Sequence, residues 1–219
     1  MTDRKLVDYY RARAPEYEQA YYRHQPGRRK EISDEMEYLQ ELAKDKDILD
    51  IACGTGYWTQ IMSQTAHFIT AADISVEMLR VALKKSYKAP TEFVLADLIR
   101  LPFQASSFDL VALGFWFSHQ PKQDYDQFFR QLAQLPKDNG LIWMIDNNPP
   151  AEGSNIESVR TDSYGNNYKR RCLENGEEYV ILKNYFNEKQ LREIFSSNFI
   201  IKRLVYKTYY WSVLLSAVS

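Results

Sequence analysis

The segment Asp50-Ile51-Ala52-Cys53-Gly54-Thr55-Gly56 constrains the fold of this 219-residue chain more than any other stretch. An apolar run leads into it, and residues 57–64 after it carry a pattern that favours a helix. The two glycines allow the backbone to turn tightly and let a ligand approach where a side chain would block it. A strand–turn–helix joint of this kind typically holds a nucleoside-type ligand.

Apolar strand patterns alternate with helical patterns along most of the chain. The strand patterns lie at residues 47–52, 67–74, 93–96, 110–114 and 141–145, and the helical ones at 28–43, 76–87 and 123–135. This alternation predicts an α/β fold with a parallel sheet covered on both faces and right-handed crossovers. Residues 199–206 and 209–215 predict two closing strands in an antiparallel edge hairpin. We therefore expect a Rossmann-like, doubly wound sheet of seven mostly parallel strands.

The length favours a single domain over residues 1–219. Its four parts are a helical N-terminal cap, a ligand-binding core, an inserted segment and a closing helix with strands, at residues 1–44, 45–148, 149–186 and 187–219. Pro15 breaks the cap into two short helices. The insert follows the fifth strand and is expected to form a loop and a hairpin, because Asn175-Gly176 separates two β-prone runs.

The composition argues against several kinds of partner. The formal net charge is −1, which disfavours nucleic acid bound through bulk basicity. Two cysteines, Cys53 and Cys172, are too few for a disulfide framework or a cysteine-rich metal site, and we predict no metal. No secretory leader and no apolar run of membrane-spanning length is visible. We therefore expect a cytoplasmic monomer or homodimer without a nucleic-acid or membrane partner.

Carboxylates follow the second and third strand patterns. Asp73 lies 17 residues after Gly56, where a carboxylate can accept both hydroxyls of a ribose. Asp97 is placed to accept from an adenine amino group. A helix cap or a turn explains either aspartate alone, but their common register with the glycine turn favours a ligand site. Since Thr59 replaces the third glycine of a dinucleotide loop and no Gly-Lys-Ser/Thr is present, the site suits an adenosine without a pyrophosphate.

Four further motifs follow the glycine turn in order. They are Ala-Asp-Ile at 72–74, Ala-Asp-Leu at 96–98, Leu-Pro-Phe at 101–103 and Ser-Phe-Asp-Leu-Val at 107–111. With the turn, they make residues 45–146 resemble the class I S-adenosylmethionine-dependent methyltransferases, in particular the type 11-like small-molecule branch. One departure is Ala52, at a position where many members have glycine and where alanine is also common.

The resemblance implies S-adenosyl-L-methionine as the cofactor and S-adenosyl-L-homocysteine as its product. The residues implied in cofactor binding are Asp50, Ala52, Gly54 and Gly56 for the methionine part, Asp73 for the ribose, Ile74, Met78, Asp97 and Leu98 for the adenine, and Gly114 and Phe115 beneath the sulfonium. Aromatic rings and backbone oxygens suit a sulfonium cation. Trp116 is expected beside this floor, on the side of the methyl acceptor.

The acceptor is expected to be a small molecule with an oxygen, nitrogen or carbon nucleophile. Covers from residues 1–24 and 149–186 would close an aromatic pocket, which suits a small molecule better than a polymer. The tyrosine-rich N-terminal arm either packs its rings on the domain or closes over the ligand as a lid. The residues expected on the acceptor side are Tyr10, Tyr17, Trp116 and Asn147. A protein or RNA methyltransferase and a non-catalytic cofactor-binding partner subunit are the alternative functions.

Three details concern the chemistry at the acceptor. His119, just past the fourth strand, is the candidate general base, with a structural histidine as the alternative. The run from Asp146 to Pro150 is similar to the motif of amino-group methyltransferases, but Ala151 replaces its aromatic residue and we reject that substrate class. The basic side chains of the insert are candidates for holding an anionic group, although a solvated strand surface is the simpler explanation for them; they are Arg160, Lys169, Arg170 and Arg171.

Overall fold

The computed structural model describes residues 4–20, 26–149 and 158–218. Its main sheet consists of β1 (Asp47–Ile51), β2 (Phe68–Asp73), β3 (Thr91–Leu95), β4 (Phe108–Gly114), β5 (Pro136–Asn147), β9 (Phe199–Tyr206) and β10 (Tyr210–Ala217). The strand order is β3-β2-β1-β4-β5-β10-β9, and β1 to β5 run parallel. Since β10 pairs antiparallel with both β5 and β9, the predicted Rossmann-like sheet with an antiparallel edge hairpin is confirmed.

Both faces of the sheet are buried, because neighbouring residues of the central strands enter opposite cores. In β1, Ile48 and Leu49 are both inaccessible to solvent and belong to different apolar clusters. In a strand, successive side chains point to opposite faces, so a sheet covered twice needs an unbroken apolar run. The helices that cover it are α2 (Pro26–Leu42), α3 (Tyr57–Met62), α4 (Val76–Ala82), α5 (Tyr125–Ala133) and α6 (Glu188–Ser196).

Strand β5 is longer than the pattern at 141–145 predicted, since it begins at Pro136. Its pairing with β4 carries a register shift, where Phe108 faces Pro136 and Leu110 already faces Leu141. The polar residues 137–139 occupy this irregular part, and they hid the strand from an analysis based on apolar alternation.

The N-terminal arm forms α1 (Arg4–Arg13) and a 3-10 helix (Ala14–Ala20). The break predicted at Pro15 therefore occurs, although the second helix is not an α-helix. The ring of Tyr9 is buried and lies 5.5 Å from that of Tyr179. The arm thus packs on the insert.

None of the helices in the described ranges is both long and apolar enough to cross a membrane.

The insert forms a small antiparallel sheet of its own. Its strands are β6 (Arg160–Thr161), β7 (Asn167–Cys172) and β8 (Glu178–Leu182). The turn between β7 and β8 holds Gly176 at a φ of 86°, the left-handed conformation that an Asn-Gly hairpin turn requires. The predicted hairpin is therefore present, whereas residues 150–157 of the predicted insert lie outside the described part of the chain.

Candidate functional site

The glycine turn leaves the carboxyl end of β1 in a left-handed backbone conformation. Ala52, Gly54 and Gly56 have φ angles of 54°, 58° and 76°. For a residue with a Cβ this conformation costs about 1–2 kcal/mol, so Ala52 stores strain at the turn. Phe115, which follows the adjacent strand β4, has a φ of 60° and carries the same kind of strain. Strained residues therefore flank the same edge of the sheet on two neighbouring strands.

The two glycines of the turn serve different purposes. A Cβ on Gly54 would come no closer to another side chain than 4.0 Å from Tyr17, so this position keeps the turn open. A Cβ on Gly56 would lie 2.3 Å from the hydroxyl oxygen of Tyr87 and 3.1 Å from the Cβ of Ala82. Gly56 is therefore required for close packing of the turn against the end of α4 and not for ligand contact.

Asp73 fastens the turn to the end of β2. Its carboxylate accepts the backbone N–H of Gly54 at 2.9 Å and that of Ser75 at 2.8 Å. Burial raises the pKa of Asp73, whereas these two backbone donors lower it. Ser75 in turn caps α4 by accepting the N–H of Met78. A carboxylate with each oxygen already bound to one N–H retains lone pairs for further donors.

Asp50 lies beneath the turn instead of on its surface. It is 1% exposed and accepts the hydroxyl of Thr59 at 2.5 Å. Burial raises the pKa of Asp50 to about 7, and the charge of Asp73 raises it further, against the opposing effect of the Thr59 hydrogen bond. The hydrogen bond from Thr59 ties β1 to α3, and a ligand contact of Asp50 stays a prediction.

A cavity opens at this edge of the sheet, with an empty volume of about 680 Å³ including its mouth. The predicted cofactor residues in its wall are Ala52, Gly54, Asp73, Ile74, Met78, Leu98, Gly114 and Phe115. The predicted acceptor-side residues in its wall are Tyr10, Tyr17 and Trp116. Most of the wall is apolar, with a few polar groups, as is typical of small-molecule sites.

Some residues of the site differ from the expectation. Asp50, Gly56, Asp97, Asn147 and His119 were expected at the ligand and do not line the cavity. Because β3 ends at Leu95, the wall near its end is formed by Ala96, ahead of Asp97. The side chain of Asn147 donates to Asp146 at 3.2 Å. Sequence reasoning missed further wall residues, namely Leu6, Val7, Ser75, Ala96 and Leu101. Of these, Ala96 and Leu101 lie in motifs that the sequence showed, whereas Leu6 and Val7 carried no signal.

His119 is buried and both of its ring nitrogens are engaged. Nδ1 lies 2.6 Å from the carbonyl oxygen of Leu182, and Nε2 lies 2.7 Å from the hydroxyl of Tyr10. Burial lowers the pKa of His119 to about 3, and the nearby charge of Lys183 adds to the effect. The ring is therefore hydrogen-bonded to the protein on both sides, as the structural alternative expects, and a general base at His119 stays a prediction.

The comparisons with known proteins agree with this geometry. Residues 48–140 match the family model described as "Methyltransferase domain". Over these residues the chain resembles a methyltransferase domain. The predicted resemblance is thereby supported over these residues, and the predicted cofactor, S-adenosyl-L-methionine, agrees with the ligands of similar solved structures. The domain matched by the family ends ahead of the insert and includes neither α1 nor α2.

Relatives and solved structures resemble this methyltransferase domain to different extents. Demethylmenaquinone methyltransferase of Listeria welshimeri is 31% identical over 118 residues, which are 51% of this chain and 49% of that protein. The chain thus spans about half the length of the curated relatives it matches.

Two solved structures cover nearly the whole fold. DhpI in complex with S-adenosylhomocysteine has a TM-score of 0.77 and 24% identity, over 97% of this chain and 95% of that one. The 1,6-didemethyltoxoflavin-N1-methyltransferase of Burkholderia thailandensis, solved with that compound and S-adenosylhomocysteine, has a TM-score of 0.65 and 15% identity. That similarity covers 98% of this chain and 88% of the other. At these identities the likeness is one of fold.

Proposed function

We propose that this protein transfers a methyl group from S-adenosyl-L-methionine to a small-molecule acceptor with an oxygen, nitrogen or carbon nucleophile. The observation that carries the proposal is the cavity between the glycine turn, the carboxylate of Asp73 and the ring of Phe115. It joins an adenosine-type subsite to an aromatic wall. The cofactor, when bound, supplies an electrophilic methyl, so that the acceptor's lone pair bonds to carbon while the carbon–sulfur bond breaks toward sulfur.

The residues of the chain align and enclose the reactants. Asp73 would accept the ribose hydroxyls, and Ile74 with Met78 would pack against the adenine. Gly54 leaves room for the methionine part, and Phe115 forms the floor at the sulfonium. Alignment and exclusion of water are the main contributions that a protein makes to an in-line displacement. A proton that the acceptor loses would pass to solvent, since His119 is engaged on both sides.

The cover of the cavity supports a small acceptor. Tyr10 and Tyr17, from α1 and the following 3-10 helix, line the cavity opposite the sheet, and their rings lie 5.9 Å apart. An enclosed aromatic wall suits a compact molecule. The methyl acceptors of the relatives cannot be assigned to this chain, because the sequence match is confined to the half of each protein that contains the cofactor-binding part. The cytoplasmic location and the monomeric or homodimeric state stay predictions.

The test is binding of S-adenosylhomocysteine measured by thermal unfolding. A ligand present at about 100 times its Kd stabilises by about 2.7 kcal/mol, which raises the Tm of a protein of this size by about 5–10 °C. Asp73→Ala is expected to abolish the rise. Asp109→Asn is the matched control, because Asp109 also accepts a backbone N–H, that of Asp47, at the opposite end of the sheet. A wild-type protein without any rise would refute the proposal.

A screen for acceptors follows from the same site. Small-molecule extracts are incubated with the protein and methyl-labelled cofactor, and labelled products are separated and identified. We expect the label in a small molecule and none of it in Asp73→Ala reactions. Transfer only to protein or RNA fractions would contradict a small-molecule acceptor while leaving the cofactor site intact.

A further inference from the structure

Four basic side chains surround the ring of Tyr185, and a fifth, Arg13, is near enough for its charge to add to burial in lowering the pKa of Lys183. We call Arg13, Arg28, Lys169, Arg171 and Lys183 the basic cluster. They come from α1, α2, β7 and the residue after β8. Lys169 and Lys183 place their ammonium groups 5.8 and 5.9 Å from the centre of the Tyr185 ring. Arg171 hydrogen-bonds the Tyr185 side chain, and the charges of Arg171 and Arg28 both lower its pKa, against the larger effect of burial.

The alternation of β7 explains why only part of the basic run faces inward. Lys169 is 6% exposed, and Arg171 is half-buried on the same face of the strand. Arg170 between them is exposed and pairs with Glu178 at 3.3 Å. Successive side chains of a strand point to opposite faces, so the run divides into inward and outward charges. The solvated-surface explanation therefore holds for Arg170 but not for its two neighbours.

In the described part of the chain, carboxylates are scarce around the arginines of the basic cluster. Asp146, which is inaccessible to solvent, accepts from Lys183 at 3.0 Å. Within residues 4–20, 26–149 and 158–218, no carboxylate lies in ion-pair range of Arg13, Arg28 or Arg171. Bringing several like charges together away from bulk water is unfavourable unless an anion joins them. The described residues thus leave this part of the fold with an excess of positive charge.

Two short connections join the basic cluster to the methyl-transfer cavity. On one side, Tyr10 lines the cavity and hydrogen-bonds His119. Burial is the main cause that lowers the pKa of His119, and the charges of Lys183 and Arg171 lower it further. On the other, the ring of Phe115 in the cavity wall lies 5.6 Å from that of Tyr210.

Tyr210 completes that second connection. Its hydroxyl accepts from the guanidinium of Arg28, whose central carbon lies 5.3 Å from the centre of the same ring. An acceptor reaching the wall formed by Tyr10 and Phe115 would therefore extend towards positive charge on both sides.

We propose that the basic cluster is the acceptor subsite, and that it selects a small acceptor carrying an anionic group, a carboxylate or a phosphoryl group. The proposal rests on the proposed methyltransferase function. Arg28 and Arg171 would grip the anion, because a guanidinium offers a planar fork of donors that matches carboxylate and phosphoryl oxygens. Lys169 and Lys183 would add charge at short range. The uncharged nucleophile of the acceptor would then point back to the cavity.

The direct test uses simple anions on protein saturated with S-adenosylhomocysteine, which keeps them out of the cofactor site. Inorganic phosphate and acetate are titrated against sodium chloride at equal ionic strength, and the Tm is followed. We expect one or both to raise the Tm above the chloride value. The stronger of the two identifies the phosphoryl or the carboxylate group. Arg28→Gln and Arg171→Gln should each weaken anion binding by about tenfold or more, since a hydrogen bond to a charged group contributes about 1.5–3 kcal/mol.

Arg170→Gln is the matched control, because it removes the same charge from the same strand on its outward face. It should keep the full anion response. Equal responses to phosphate, acetate and chloride, or an anion response that survives in the Arg28→Gln/Arg171→Gln double variant, would overturn the proposal.

A second measurement separates this proposal from the proposed function. Acceptor pools are split by anion exchange, and methyl transfer is measured with each fraction. We expect transfer in the anionic fraction, with a raised KM in Arg171→Gln and an unchanged Kd for S-adenosylhomocysteine. Transfer confined to the neutral fraction refutes the anionic subsite and leaves the methyltransferase intact. Failure of the wild type to bind S-adenosylhomocysteine refutes the proposed methyltransferase function. In that case the anion titration, repeated without S-adenosylhomocysteine, still tests the basic cluster.

Discussion

The hydroxyl of Tyr10 donates a hydrogen bond of 2.7 Å to Nε2 of His119, and this bond ties the first helix to the segment after β4. The direction follows from the other side of the ring. The carbonyl oxygen of Leu182 can only accept, so Nδ1 carries the proton and Nε2 is left to accept. Protonation of His119 would reverse this bond, because an imidazolium donates at Nε2 and the tyrosine oxygen must then accept.

Acidification is expected to destabilise the protein through His119. The pKa of His119 is lowered from its ordinary 6.5 to about 3, chiefly by burial. The unfolded chain therefore binds one more proton than the folded one between these values. The stability that the neutral His119 gives the folded state is fully present above pH 6.5. It is lost as the pH falls towards 3, and the free energy of unfolding decreases by at most about 1.4 kcal/mol per pH unit. Denaturant unfolding of wild type and His119→Gln from pH 7 to 4.5 measures it.

The comparison between the two proteins is essential, since Asp50 acts in the opposite direction. Its pKa is raised to about 7, so its protonation favours the folded state over the same window. The difference between wild type and His119→Gln removes this common part. Equal pH slopes in wild type and His119→Gln would contradict the buried neutral imidazole.

Glu18 is expected to hold the N-terminal arm on the glycine turn and so to slow cofactor release. Its carboxylate accepts the hydroxyl of Thr55 at 2.6 Å and pairs with Lys85. Glu18→Gln weakens both contacts, and a loss of about 1 kcal/mol corresponds to about a fivefold higher Kd for S-adenosylhomocysteine. Isothermal titration calorimetry measures it. Glu16→Gln, in the same 3-10 helix, has no contact with the turn and should leave the Kd unchanged. Equal Kd values for the two variants would argue against a role of Glu18 in holding the arm on the glycine turn.

The cofactor half of the site was predictable because its residues follow from strand ends. The glycine turn, Asp73 and Phe115 all stand where a parallel strand stops, and parallel strands end at one edge of a sheet. Local pattern alone therefore places them together. The exact contacts were less predictable. Asp50 and Gly56 belong to the same motif as Gly54, yet Asp50 is tied to Thr59 and Gly56 packs against the end of α4, so neither lines the cavity.

The acceptor half could not be predicted from pattern. His119 meets Tyr10 across 109 positions, and no periodicity links a helix at the start of the chain to the end of β4. The same holds for Arg28 and Tyr210, which lie 182 positions apart. The basic run of β7 was visible in the sequence, but its inward and outward members are separated only by the register that the β8 pairing imposes. Long-range packing decides these contacts.

Lys183 is expected to be far more important for stability than a surface lysine in an ion pair. Its ammonium group, in a side chain that is 7% exposed, contacts both Asp146 and the hydroxyl of Ser118. Lys183→Met leaves a buried carboxylate without its counter-charge, which costs about 3–5 kcal/mol. Lys207→Met breaks the solvated, half-exposed pair with Asp34 and should cost far less, because such ion pairs contribute little. Urea unfolding of both variants measures the contrast.

A double variant identifies the origin of that loss. Asp146→Asn combined with Lys183→Met removes both charges, and it should be more stable than Lys183→Met alone. The carboxylate also accepts the N–H of Ser118 at 2.9 Å, so the recovery will be partial. If the double variant is as unstable as the sum of the two single ones, the loss comes from packing and not from charge.

Alanine at the two turn glycines is expected to affect different properties. At Gly56 it should mainly lower the stability of the fold, and at Gly54 it should mainly weaken cofactor binding. Gly56→Ala places a Cβ 2.3 Å from the hydroxyl oxygen of Tyr87, and overpacking together with the φ of 76° should destabilise the fold by about 2–4 kcal/mol. Gly54→Ala meets open space, so only the φ of 58° opposes it, at about 1–2 kcal/mol. The new methyl group at Gly54, however, faces the cavity and should raise the Kd for S-adenosylhomocysteine.

Tyr87→Phe provides the check on this assignment. It removes the hydroxyl that the new Cβ would meet, at the loss of a 2.9 Å hydrogen bond to the carbonyl of Ala82. Gly56→Ala/Tyr87→Phe should therefore be more stable than Gly56→Ala, whereas Tyr87→Phe should not rescue Gly54→Ala. The unfolding free energies and S-adenosylhomocysteine affinities of the wild type, the three single variants and the two double variants test this assignment. Rescue of both alanine variants, or of neither, would mean that the two glycines share one role, because only a steric cause at Gly56 makes the rescue specific.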